Sequence, residues 1–357
     1  MPTAPIHILP FAAIDGMRDF FQATGERLHT PHLQALLPLL QPVRWLRGAA
    51  AGEWAEGDDG LAVHERAWVQ AALTDSHAAE EAANANANAN ANANANAESP
   101  PALAALLAAQ HGHGVQAGDG WAQVTPCHVH IATDSITLVD PALSPLPPEQ
   151  LEALRHSLQT LWAEDGLSLH PGPAGSWLAQ APWLRGLALP SIDRVARQDV
   201  RLYTPALAHT RLLQRAQAEA QMLLHDHPVN DARAAQGLLP INALWFSGAG
   251  HAPADAAHAV ARLERLHTHA ALRAPALQGD FYGWAQEWQA LDARVLAELL
   301  RQVQSGQPCE LILAGPQHAV ALAPARSGWL ARLARRWQQW PPWRSGADPV
   351  TALLAQL

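Results

Sequence analysis

From Ala83 to Ala97 the chain alternates alanine with asparagine, placing seven asparagines between Asn84 and Asn96. A period of two imitates a strand. Alanine, however, buries little surface, and asparagine disfavours the interior of helix and strand alike. Ordering such a run would not recover its conformational entropy. Residues 78–99 are therefore expected to be a disordered linker, an insertion within a loop, rather than a β-aggregating or interaction segment. It divides the chain into 1–77, the N-terminal part of an α/β core, and 100–357, the remainder of the same domain.

Around the insertion the pattern is that of a folded enzyme-sized chain. Of 357 residues, 49% are hydrophobic, enough for one large domain or two intimate ones. All 23 basic residues are arginine. No Schiff-base lysine, lysine base or phosphate-loop lysine is available, and anions fall to arginine, histidine, backbone N–H groups or helix N-termini. A net charge of −9 argues against nucleic acid as a partner. No uninterrupted apolar run reaches the length of a membrane span, and the N-terminus reads as a first strand rather than a signal peptide, so a cytoplasmic protein is expected. Cys127 and Cys309 stand alone, without the spacing of a zinc ribbon or a redox pair.

Periodicity predicts strands over Ile6–Phe11, Ile241–Phe246 and Glu310–Ala314, and helices over Pro31–Leu40, Gln150–Glu164, Ala206–His225 and Trp284–Gln304. His128–Asp140 alternates on both sides of Thr133-Asp134-Ser135 and reads as a hairpin. Gly248-Ala249-Gly250 reads as a turn after its strand. Strand-turn-helix units point to a mixed, largely parallel α/β sheet flanked by helices, with an α+β elaboration in the middle.

One segment concentrates polar chemistry: His225-Asp226-His227-Pro228-Val229-Asn230-Asp231-Ala232-Arg233, then Gly237 and Pro240-Ile241-Asn242. Pro228 suits the first position of a short helix, on which Asn230 and Arg233 share a face. His227, Asn230, Arg233 and Asn242 are candidate ligand-binding residues for a phosphorylated or carboxylate ligand, with Arg194 as a clamp. The bland reading of the same residues is that the amides satisfy turn backbone. Arg197, Arg211 and Arg215 offer further cations. His128 and His130 share one side of a strand near Cys127 and are metal-ligand candidates, against a structural histidine pair. His64-Glu65-Arg66 offers acid-base groups, although consecutive helical residues point apart. Trp329–Trp343, basic and aromatic, reads as a helix packed on the body with its arginines outward, against contact with a membrane surface or nucleic acid. A purely structural or interaction protein would use the helical C-terminus as its docking surface for a protein partner.

The run HDHPVN-x2-R-x3-G-x2-PIN-x5-G-x-G resembles a signature of archaeal-type cofactor-independent phosphoglycerate mutases, members of the alkaline phosphatase superfamily. Asp15-Gly16-Met17-Arg18-Asp19 resembles their metal-binding DGxxD, and Thr30-Pro31-His32-Leu33-Gln34 their TPNLD. Over nearly everything outside the insertion, the chain is also similar to bacterial RpfE-type regulatory proteins. That similarity rests on Val63-His64-Glu65-Arg66-Ala67, Thr125-Pro126-Cys127-His128, Asp140-Pro141, Ser191-Ile192-Asp193-Arg194, Gln221-Met222-Leu223-Leu224 and the HPVN segment. The resemblance implies two divalent metals, Mn²⁺ or Mg²⁺, and a serine or threonine nucleophile, with Asp15 as a metal ligand. Yet Ser247 stands where the signature usually carries arginine. Gly315-Pro316-Gln317-His318 stands where the mutases carry an Asp-His-Gly motif, and no nucleophile can be named. The expected protein is a mutase relative without a metal cofactor, binding a phosphometabolite or regulating a partner. The alternatives are an active mutase or phosphatase and a purely structural protein.

Overall fold

The computed structural model describes residues 4–48, 54, 58–73, 102–173, 175–196, 198–203, 211–324 and 348–357. The alanine-asparagine run, Arg197, the start of the helix expected from Ala206 and the Trp329–Trp343 segment lie outside them. The chain divides into two compact units. One comprises Met1–Gly48, Arg66–Asn88 and Glu264–Leu357; the other comprises Ala49–Glu65 and Ala89–Leu263. Each unit is therefore assembled from segments that alternate along the sequence.

The first unit is built on a five-stranded mixed sheet. Its strands are β1 (Ile6–Leu9), β2 (Leu40–Arg47), β8 (Leu266–Thr268), β9 (Glu310–Ala314) and β10 (His318–Pro324), in the order β2-β10-β9-β1-β8. β1 runs parallel to β8 and β9; β10 is antiparallel to β9 and β2. Ile8, Leu9, Leu311, Ile312 and Leu313 are fully buried, the continuous apolar run of strands covered on both faces. Helices Pro31–Leu36, Phe281–Leu291 and Ala297–Gln304 supply Leu33, Leu36, Trp284, Trp288 and Leu299 to the same core.

The helix predicted over Trp284–Gln304 is interrupted by a π-helical turn at Asp292–Leu296. That turn delivers the buried Asp292 carboxylate to the start of helix Pro31–Leu36. There it accepts from the backbone N–H groups of His32 (3.0 Å) and Leu33 (2.8 Å), and lies 2.8 Å from His32 Nδ1. Thr30, at the N-cap, makes no capping bond with its side chain. A carboxylate from 260 residues away performs the capping that N-terminal N–H groups require.

On the outer side of β1, His7 lies beside His267 of β8 and His269 just after it, its Nδ1 3.0 Å from His269 Nε2. Burial first, then the neighbouring imidazoles, pull the His7 pKa down to about 4, and burial lowers His269 as well. A histidine depressed in the fold favours the neutral, folded state. Its contribution is complete above the unfolded value near 6.5 and is lost as pH falls towards 4. Because His7 is only partly buried, the loss is expected to be roughly 1–2 kcal/mol after solvent screening. Thermal midpoints at pH 7.5 and 4.5 should separate, and His7→Gln should narrow the gap.

The second unit holds an antiparallel sheet of β3 (Gly120–Ile131), β4 (Ile136–Val139), β5 (Ser168–Pro171), β6 (Trp177–Gln180) and β7 (Ala243–His251). β3 is its spine, pairing with β4 and β6 and, along Gly120–Cys127, with β7. The expected hairpin is β3–β4. Gly248-Ala249-Gly250 forms no turn; β7 runs through it, opposite a register shift in β3. Gly248 has φ +57°, and a Cβ there would lie 3.2 Å from Leu103 Cβ, so both conformation and space favour glycine. Helices Pro148–Trp162 and Arg211–His225 cover one face through Leu154, Leu158, Trp162, Leu213 and Leu224. The α/β class expected from the sequence is the class observed. Among the described residues, parallel pairing is confined to β1 with its two neighbours, and the α+β part forms an antiparallel sheet of its own. No described helix is long and apolar enough to cross a membrane.

Candidate functional site

At the C-terminal ends of β1 and β9 the chain opens a cleft of about 460 Å³. Its walls include Asp15, Gly16, Arg18 and Asp19 from the loop and helix after β1, Gln317 and His318 after β9, and residues 354–357. Parallel strands of an α/β sheet point their C-terminal ends at such crevices, where ligands bind, and the volume suits a small metabolite.

The walls are positioned from below. β1 stops at Leu9, before Pro10, which cannot donate to the ladder. Phe11 then takes φ 57°, a strained value for a bulky side chain. It is held there by the indole of Trp284, which donates to the Phe11 carbonyl at 2.8 Å, while Trp288 donates to that of Ala12 at 3.1 Å. Ala12 N–H donates to Ala314 O at 2.7 Å, tying the exit of β1 to that of β9. Gly16, with φ 78°, starts helix Met17–Thr24 without any side-chain cap. The opposite wall is fixed by Leu357, whose carbonyl accepts from Gln317 and His318 N–H, and by Arg18 Nη2, which donates to Ala355 O at 2.8 Å. Gly315 permits this close approach, since a Cβ there would lie 2.6 Å from Leu357 Cβ.

The two motifs that the sequence placed 300 residues apart, Asp15–Asp19 and Gly315–His318, thus line one cleft. The metal set implied by the mutase resemblance does not fit it. Two divalent ions need several convergent carboxylates and imidazoles. Among the described residues, Asp15 belongs to no group of three donor side chains near enough to share an ion.

The HPVN–PIN residues serve another purpose. The Asn230 amide donates to Leu224 O (2.7 Å) and Ile241 O (2.8 Å), and its Oδ1 accepts from Ile241 N–H (2.7 Å). Asn242 pairs in the same two-sided way with Val129, through bonds of 2.7 and 2.9 Å. Each asparagine does what a strand partner would do, satisfying both polar groups of one backbone residue. His227 caps helix Pro228–Ala235 by accepting from Val229 N–H, and its other ring nitrogen lies 3.1 Å from Ser157 Oγ. Arg233 is fully buried; it donates to Leu239 O at 2.8 Å and to the backbone and hydroxyl oxygens of Ser144. No described carboxylate pairs with it, and burial lowers its pKa.

Arg194 lies elsewhere in the same unit, bidentate on Asp58 at 2.7 and 2.6 Å and stacked near Trp54 and Tyr203. These five side chains therefore do not build one anion pocket. The spacing that suggested a pocket is the spacing of backbone satisfaction. His128 is likewise occupied: its Nδ1 lies 2.9 Å from Pro240 O. His130 is exposed, and the buried Cys127 thiol is pushed up to about 12 by burial, so the three do not form a metal site. The sequence pointed to the cleft only through the family resemblance of its two motifs; Arg18, Gln317 and His318 carried no signal of their own.

No family model matches the chain, and no curated protein matches it. Among solved structures it is similar to the PH0037 protein of Pyrococcus horikoshii, at 12% identity over 91% of this chain and 88% of that one, with a TM-score of 0.43. It is also similar to the cofactor-independent phosphoglycerate mutase of Thermoplasma acidophilum DSM 1728, at 12% identity over 90% of each chain, with a TM-score of 0.32.

Proposed function

We propose that the chain is a phosphoglycerate mutase-like protein that binds a small phosphorylated or carboxylate metabolite without metal-dependent phosphoryl transfer, and works as a sensor or regulator. The observation that carries this reading is the convergence of Asp15–Asp19 and Gly315–His318 on one cleft at the strand ends. In it Arg18 supplies a cation, the uncapped helix start at Gly16 supplies backbone N–H groups, and Asp15 supplies an acceptor for a ligand hydroxyl. The signature shared with the mutases and the similarity to RpfE-type regulatory proteins support a ligand of this class and a regulatory use of it. The shortage of converging metal ligands in the cleft favours binding over phosphoryl transfer.

Calorimetric titration with 3-phosphoglycerate, once in EDTA and once with Mn²⁺, tests the reading. Binding is expected to survive EDTA. Arg18→Gln is expected to weaken it by about tenfold or more, since a charge-assisted hydrogen bond contributes about 1.5–3 kcal/mol. Binding only with Mn²⁺, accompanied by isomerisation to 2-phosphoglycerate, would replace the sensor with an active mutase. No binding in either buffer would sink the assignment of this ligand class.

A further inference from the structure

The unit that does not hold the cleft contains a second constellation. Helix Val63–Leu73 begins with His64 and Glu65, and the short helix Ile192–Val195 carries Asp193. Consecutive helical residues ordinarily point apart. Glu65, however, turns back so that its Oε2 accepts from Ala62 N–H at 2.8 Å, as a third-position glutamate does in a capping box. This brings the carboxylate beside the imidazole. His64 Nε2 then lies 3.1 Å from Asp193 Oδ2. One donor atom from each of the three side chains lies within 4.8 Å of the other two.

We propose that His64, Glu65 and Asp193 form a binding site for one divalent metal ion of the zinc or manganese class. One imidazole nitrogen and two carboxylate oxygens are the donors such ions take, and three protein ligands leave a position for water. The His64–Asp193 separation of 3.1 Å fits: with bonds of about 2.0–2.2 Å, the edge of a zinc tetrahedron is about 3.3 Å. The side chains of His64 and Asp193 are 13% and 12% exposed, which withdraws them from water yet leaves a route for an ion.

Charge balance points the same way. Two carboxylates and one imidazole share this partly buried place. A dication would neutralise the pair, replacing whatever proton His64 and Asp193 share. The Ala62 N–H and the Ser191 hydroxyl, which also bond Glu65, would act as the outer contacts that orient a ligating carboxylate.

The test uses the full chain, stripped with EDTA and dialysed. Zinc and then manganese are titrated by calorimetry, and bound metal is counted by mass spectrometry. One equivalent is expected in the wild type. His64→Gln and Asp193→Asn should each weaken that equivalent by about tenfold or more while far-ultraviolet dichroism is retained, and His128→Gln should leave it in place. Cobalt(II) should give d–d absorption in the wild type that both variants lose. Should the variants fold poorly, the wild type alone decides: bound zinc must shield His64 from diethyl pyrocarbonate, mapped by peptide mass. A wild type that binds no dication, variants that bind like the wild type, or an unshielded His64 would each overturn the proposal and leave a capping box beside an ion pair. None of these outcomes depends on 3-phosphoglycerate, so this site stands or falls apart from the cleft.

Discussion

Asn230→Ala should lower the stability of the second unit by about 3 kcal/mol and leave the affinity for 3-phosphoglycerate unchanged. Asn230 makes three hydrogen bonds of 2.7–2.8 Å to the backbone of Leu224 and Ile241. Alanine removes all three and strands backbone groups that part of the solvent can still reach. An unsatisfied buried group costs about 1–3 kcal/mol, so a total near 3 allows for that access. In a unit of this size the thermal midpoint should fall by roughly 10 °C. Asn230→Asp should not rescue it, because a carboxylate would face the two carbonyls that the amide now donates to. A variant that melts like the wild type but loses ligand affinity would return Asn230 to a binding role.

The second large effect is expected at Asp292. Its carboxylate, 2% exposed, satisfies the N–H groups of His32 and Leu33 and faces the His32 ring. Asp292→Ala leaves the start of helix Pro31–Leu36 uncapped inside the core, with an expected loss of about 3–5 kcal/mol in the first unit. Asp292→Asn keeps one acceptor oxygen and should recover part of that loss. Urea unfolding of both variants against the wild type provides the comparison. If both unfold at the wild-type midpoint, the capping assignment is wrong.

These two residues also show what the sequence could and could not disclose. Strand β9 and the β3–β4 hairpin were legible because an apolar run and a clean alternation each admit one assignment. Strands β2 and β10 were not: β2 contains Pro42, which it tolerates as the edge strand of its sheet, and β10 contains Ala319 and Ala321, whose burial comes from their neighbours. Asp292 looked like one more polar residue on a helix, since nothing local announces a π turn or a partner 260 residues away. The HPVN–PIN segment misled for a related reason. A polar side chain that bonds to backbone and one that waits for a ligand are the same letter, and only the position of the partner separates them. The cleft was accessible only through family resemblance, because its two halves lie at opposite ends of the chain.

That last arrangement has a consequence for how the protein is made. Among the described residues β1 finds its partners only at β8 and β9, so Ile6 must wait for Leu266 and Glu310. By contrast, the second unit's sheet is complete once His251 has been synthesised. On a ribosome the middle of the chain can therefore fold while an apolar strand, Ile6–Leu9, is still unpaired. During that interval β1 presents both of its hydrogen-bonding edges to other chains, and the structural burden falls on whatever shields it. Mutations that slow completion of β9 or β10 should therefore show first as aggregation during synthesis and only later as lost stability of the finished protein.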